Sequence, residues 1–212
     1  MHKKHAILVL QGPMQSWGLQ GKFDHRDTAT LPTKSGIVGL ICAALGIERG
    51  DREHIAEVAS CDISVITLKR GTMMTDYHTV GCGHEREDSR VLKAEKGSTQ
   101  VVTHRDYLAD AAFVVVVSGG AELIDRCSSA LDNPKWGGYL GRRSCIPSRP
   151  ILEVVVDTEE QVRAELSRLG ATAESAALSD GVGGTYQQDI PIDFRTREYG
   201  TRPVVQESGF VR

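Results

Sequence analysis

The run LPTKSGIVGLICAALG, Leu31 to Gly46, carries the strongest periodicity in the chain. Ile37, Leu40, Ile41, Ala44 and Leu45 recur at i, i+3, i+4, i+7 and i+8, which is one apolar face of a helix. Pro32 and Thr33 stand where a helix starts, and Gly46, able to take a left-handed backbone, stands where it stops. Upstream, AILVL at Ala6 to Leu10 is a continuous apolar run bounded by Gly12 and Pro13, which predicts a buried first strand. Downstream, Asp51 to Ala59 reads as a short helix and the β-branched run Ile63 to Leu68 as a second strand. Phe113 to Val117, extended back toward Tyr107, predicts a third strand. Leu123, Ile124, Cys127 and Leu131 mark a further helix, and Ile151 to Val156 a fourth strand. The order strand, helix, strand, strand, helix, strand is that of an α+β, ferredoxin-like (RRM-like) βαββαβ domain, an antiparallel sheet with both helices on one face.

Two segments stand outside this frame. From about residue 69 to 105 acids, bases and Gly71, Gly81, Gly83 and Gly97 alternate with no sustained period. So long a structureless loop is unusual inside a compact domain, so this segment is expected to be an inserted arm or hairpin. Beyond the domain at 1–156, the portion 157–212 opens with an amphipathic helix at Val162, Leu166 and Leu169 and continues as an extension packed on the domain.

At 212 residues the chain can bury a substantial core. No apolar run approaches the roughly 20 residues of a membrane span, so the expectation is a cytoplasmic protein with no membrane partner. Five cysteines, odd in number and without a CxxC pair, read as reduced structural thiols. His78, Cys82 and His84 lack a fourth metal ligand, and no metal or cofactor is expected. Neither a GxxxxGK[ST] phosphate loop nor a GxSxG elbow is present.

The net charge is −3, yet Asn133 to Leu152 holds Lys135, Arg142, Arg143 and Arg149 and no Asp or Glu. A basic loop in an acidic chain is either an anion site or a solvated loop whose arginines pair with acids elsewhere. Its centre, YLGRRSC at Tyr139 to Cys145, suits a phosphodiester backbone: guanidinium forks take phosphate oxygens, Tyr139 offers a stacking face, and glycines permit close approach. At the start of the first helix, Thr33 and Ser35 can cap free amides while Lys34 adds a charge for an anion. Trp17 in GPMQSWG can stack on a base or pack beneath its loop. Asp76, Tyr77 and His78, with His84, His104, Arg105 and Tyr107, supply the groups a metal-independent ribonuclease needs, without a spacing that requires them to meet.

Six motifs in order extend these readings: LQGPMQSWG at Leu10 to Gly18, LPTKSGIVGL at Leu31 to Leu40, DYHTV at Asp76 to Val80, THRDYLADA at Thr103 to Ala111, YLGRRSC at Tyr139 to Cys145, and FRTREY at Phe194 to Tyr199. Together they resemble the CasD family, the subunit of the type I-E CRISPR surveillance complex (Cascade) that holds the 5′ end of the guide RNA. The resemblance implies a ferredoxin-like RNA-binding (RAMP) domain whose insertion is a thumb, with the crRNA 5′ handle bent between the two. It implies handle contacts at Arg105, Tyr139, Arg142 and Arg143, then Lys34 and Ser35, Gln15 and Trp17, and Tyr77 and His78. It also implies docking on the backbone subunit and on the large subunit that recognises the target's flanking motif. No catalysis is implied for this branch. The alternative is a metal-independent pre-crRNA endoribonuclease as in type I-C relatives, with Tyr77, His78 and His104 as candidates. His104 stands where relatives can carry an aromatic, and the portion after Asp180 matches only patchily outside FRTREY.

Overall fold

Apolar residues on both faces of the central strands dictate a sheet covered on both sides. The computed structural model describes residues 2–18, 24–81, 100–172 and 176–208. In chain order its elements are β1 (Lys3–Gln11), β2 (Met14–Gln15), β3 (His25–Arg26), α1 (Lys34–Leu45), α2 (Arg52–Ala59), β4 (Asp62–Lys69), β5 (Thr72–Gly81), β6 (Gln100–Ala109), β7 (Ala112–Gly120), α3 (Ala121–Asp132), β8 (Leu152–Val156), α4 (Glu159–Arg168), β9 (Ala176–Asp193) and β10 (Glu198–Ser208).

The main sheet runs β10-β9-β4-β7-β1-β8, antiparallel throughout. Within it the four strands expected from the sequence lie in the order second, third, first, fourth. Residues alternate across it: Leu8 and Leu10 of β1 and Phe113, Val115 and Val117 of β7 pack against Ile37, Val38 and Ile41 of α1, Ile55 and Val58 of α2 and Ile124 of α3. The alternate set, Ile7, Ile66, Val114 and Val116, packs under Val162 and Leu166 of α4. Covering on both faces explains why these strands read as unbroken apolar runs. It also closes the face on which an RNA-recognition motif stacks bases.

α1 has the ends its sequence predicts. The Thr33 hydroxyl accepts from the Gly36 amide at 3.2 Å, and Gly46 sits at φ 74° while the Ile47 amide donates to the Cys42 carbonyl at 2.9 Å.

One expectation is corrected. The strand placed from near Tyr107 to Val117 is two strands in two sheets, β6 and β7, broken at Asp110, whose backbone is left-handed at φ 54°. The C-terminal extension contributes β9 and β10, a long hairpin whose first strand pairs with β4. Three register shifts in that hairpin, and Pro203 within β10, remove the clean alternation by which a strand is recognised. The insertion is a hairpin, β5 on β6, from Thr72↔Ala109 to Gly81↔Gln100. The other edge of β6 takes β2 at Leu108 and Ala109 and β3 at His104 and Arg105.

Candidate nucleic-acid interface

Three sequence-distant segments meet at the base of the hairpin, beginning with the strap through Gln15 to Trp17. Gln15 is fully buried: its Nε2 donates to the carbonyls of Leu10 at 3.0 Å and Ala111 at 2.9 Å, and its Oε1 accepts from Trp17 Nε1 at 3.1 Å. The Trp17 ring is 1% exposed and lies against Gly36, where an added Cβ would stand 2.7 Å from its Cε3. Gln15 and Trp17, expected at the RNA, are therefore interior groups with satisfied polar atoms. They shape the strap, and no ring face is open for a base.

The Tyr139 to Cys145 loop is fastened to that strap. The Ser16 amide donates to the Leu140 carbonyl at 3.0 Å, and the Leu140 amide to that of Cys145 at 2.7 Å. Gly141 sits at φ 90°, where a Cβ would be 1.6 Å from the Ser16 carbonyl oxygen, so only glycine fits. Leu140 and Cys145 are buried beneath the loop, Tyr139 is half-buried, and Arg143 is exposed. Arg142 turns inward. Its Nη1 donates to the Asp106 carbonyl at 3.1 Å, and its Nη2 to those of Arg26 at 2.7 Å and Asp27 at 3.1 Å. The guanidinium also lies 4.8 Å from the centre of the Tyr107 ring. With these backbone partners, Arg142 is a strut joining loop, β3 and β6, and the phosphate fork expected of it is largely spent on the protein itself.

The hairpin supplies the third part. On one face Tyr77, 63% exposed, meets His104 edge-on at 5.3 Å, and His25 Nε2 lies 2.7 Å from the Asp106 carboxylate, which also accepts from Thr75 at 2.7 Å. The hydrogen bonds from His25 and Thr75 hold the Asp106 carboxyl below the ordinary carboxylate range. Arg105 donates through Nε to Thr103 at 3.2 Å. His78 has Asp76 at 3.6 Å. Cys82 and His84 lie outside the described residues. Sequence reasoning missed His25 and Arg26, although HRD at His25 to Asp27 repeats as HRD at His104 to Asp106. That repetition was the available signal.

The remaining cations are placed elsewhere. The Lys34 ammonium is buried, donating to the Cys61 carbonyl and to Asp180, each at 2.9 Å. The Lys34 amide at the helix start already donates to the Asp189 carboxylate at 2.8 Å, and Arg202 binds both Asp189 and Asp180. The anion that the helix end favours is thus this chain's own carboxylate, which corrects the expectation that Lys34 offers its charge to a ligand. Ser35 is half-buried beside the Thr33 cap, 3.3 Å between hydroxyls. Arg149 pairs with Glu153, and Lys135 lies 5.5 Å from the Trp136 ring centre.

The fold occurs in known proteins. A sequence model described as CRISPR-associated protein (Cas_Cas5) matches residues 7–205. The chain belongs to the Cas5 family. A similar protein is the CRISPR system Cascade subunit CasD of Escherichia coli (strain K12), 35% identical over an alignment of 161 positions, with 70% of this chain and 70% of the relative covered. Among solved structures, a chain of a CRISPR RNA-guided surveillance complex superposes with a TM-score of 0.81 at 30% identity, covering 97% of this chain and 90% of its own. A crystal structure of a Cas protein gives a TM-score of 0.70 at 30% identity, with 96% and 93% covered. The Cas5 match spans strap, hairpin, loop and C-terminal hairpin alike. FRTREY turns out to be the turn of that last hairpin: the Asp193 carboxylate accepts from the amides of Arg195 at 2.8 Å and Thr196 at 3.1 Å and from Arg52 at 3.1 Å. Among the described residues no helix is long and apolar enough to cross a membrane.

Proposed function

We propose that this Cas5 chain is a non-catalytic, cytoplasmic RNA-binding subunit of a type I-E CRISPR surveillance complex. It grips the crRNA 5′ handle between the β5–β6 hairpin, acting as a thumb, and the Tyr139 to Cys145 loop. It needs no cofactor, caps the backbone filament and touches the large, flanking-motif-recognising subunit. The observation that carries this reading is the convergence of strap, hairpin and basic loop, with Arg26 and Arg143 exposed and Arg105 half-exposed, none of them in an ion pair among the described residues. The second-third-first-fourth order of β4, β7, β1 and β8 supports the ferredoxin-like reading of the domain. With the sheet faces covered, loops and hairpin are left for single-stranded RNA. The Cascade subunit CasD and the surveillance-complex chain among its relatives favour membership of such an assembly.

The test is a native shift of guide RNA bearing its repeat-derived 5′ leader, with the full chain alone and assembled with its neighbours, in chelator. A salt-sensitive shift of intact RNA is expected; no shift in either form would refute the reading. One contact favours the endoribonuclease alternative: the Tyr77 phenol and the His104 ring are adjacent and solvent-facing. A cyclic-phosphate product that disappears in His104→Ala would establish that alternative.

A further inference from the structure

The two HRD tripeptides are laid side by side. β3 and β6 pair in parallel, with His25 opposite His104 and Arg26 opposite Arg105. In a parallel ladder residues opposite one another project from the same face, and neighbouring strands lie about 4.8 Å apart, so the two arginine stems leave the sheet as neighbours. Like charges directly opposite in a sheet are destabilising, and opposite charge is the usual relief. Among the described residues neither arginine has it in an ion pair. Across the hairpin Asp76 stands opposite Arg105, but its carboxylate lies beside His78 at 3.6 Å. Arg105 is steadied through Nε by Thr103, and among the described residues its two terminal nitrogens have no hydrogen-bond partner.

The pair is also held from behind. Arg142 donates to the Arg26 and Asp27 carbonyls and to the Asp106 carbonyl, and so ties together the two segments that carry the facing arginines. The His104 amide donates to the Asp24 carbonyl at 2.7 Å and secures the same junction from the other end. Two arginines in register, braced by a third whose guanidinium is turned to backbone, match a single tetrahedral anion with oxygens to spare for both forks.

We propose that Arg26 and Arg105 together hold one phosphodiester group of the bound RNA, with Arg142 as the positioning residue that sets their spacing. This rests on the RNA-binding reading above and assigns Arg26, a residue outside the motifs, to the site. Two arginines on one phosphate make a coupled unit. Either substitution to Ala removes the same contact, and the double substitution loses little more than one. Arg142, which faces carbonyls, is a different case: its loss weakens binding without removing a phosphate contact.

The experiment titrates the full chain, alone or in the reconstituted assembly, with fluorescein-labelled guide RNA carrying the repeat-derived leader, at several salt concentrations. Arg26→Ala, Arg105→Ala, the double variant, Arg142→Lys and Arg143→Ala are compared. Arg26→Ala and Arg105→Ala should each lower affinity by about tenfold and flatten the log–log salt slope by about 0.7, the value for one single-strand phosphate. The double variant should fall within about threefold of the singles with no further flattening, and Arg142→Lys should lose affinity at unchanged slope. Thermal midpoints of Arg26→Ala should match the parent, since that side chain is exposed. Unchanged affinity in Arg26→Ala while Arg143→Ala still weakens binding would overturn the pair and leave the RNA-binding reading standing. Fully additive singles would likewise overturn the shared phosphate. Failure of the parent chain to bind in any form would instead overturn the RNA-binding reading and the pair with it.

Discussion

Arg142 and Arg143 are adjacent in sequence and opposite in use. Arg142 meets three backbone carbonyls and the Tyr107 ring, whereas Arg143 is exposed and unpaired among the described residues. Removing Arg142 strands the part-buried carbonyls of Asp106 and Asp27, so Arg142→Ala should lower stability by about 1–3 kcal/mol in urea denaturation. Arg143→Ala should leave stability within about 0.5 kcal/mol. Equal midpoints for the two variants would contradict the assignment. Asp106 gives a pH test at the same scale. Its carboxyl is held low by His25 and then Thr75, so its contribution to stability is complete above the unfolded value, about 3.9, and is lost as pH falls through the lower folded value. Asp106→Asn should therefore lower stability at neutral pH and flatten the acid limb of the stability curve below about pH 4. An acid limb as steep as the parent's would rule Asp106 out as its source.

Among the elements, the helices and central strands were legible because burial imposes a period on them, and the caps of α1 were written in Thr33 and Gly46. The C-terminal hairpin was not legible. It carries register shifts, glycines and a proline, and what docks it is tertiary: Lys34, Asp180, Asp189 and Arg202 form a buried charge network across the sheet and the start of α1. Arg202 and Asp189 side chains are 7% and 2% exposed. Stripping one partner from a buried pair leaves an uncompensated charge, at a cost of about 3–5 kcal/mol, whereas a shape-matched apolar pair can be tolerated. Asp189→Ala is accordingly expected to cut the unfolding free energy by that amount and to free the Lys34 amide. Hydrogen exchange would check this by faster exchange at the Lys34 amide and along β9 and β10. Unchanged exchange there would mean that β9 docks through β4 pairing alone.

For the whole molecule, the sequence marked the basic loop and the insertion as separate features, but periodicity could not show that they meet. The meeting depends on pairings across about ninety residues or more, Ser16 to Asp106 and Arg142 to Arg26, which no local pattern encodes. The same tertiary assembly assigns Lys34, Gln15 and Trp17 to the interior and leaves Arg26, Arg105 and Arg143 for a ligand, on a chain whose net charge is −3. Those counts bound the electrostatics of binding. Arg26 and Arg105 sharing one phosphate, with Arg143 on a second, release counterions from about two single-strand phosphates, for a log–log salt slope near −1.4. Affinity for the leader RNA should then drop about sevenfold between 50 and 200 mM salt. A slope near zero would mean that the exposed arginines do not meet phosphate. A slope steeper than about −4 would require several further phosphate contacts, from other parts of the chain or from neighbouring subunits, and comparing the isolated chain with the assembly separates the two.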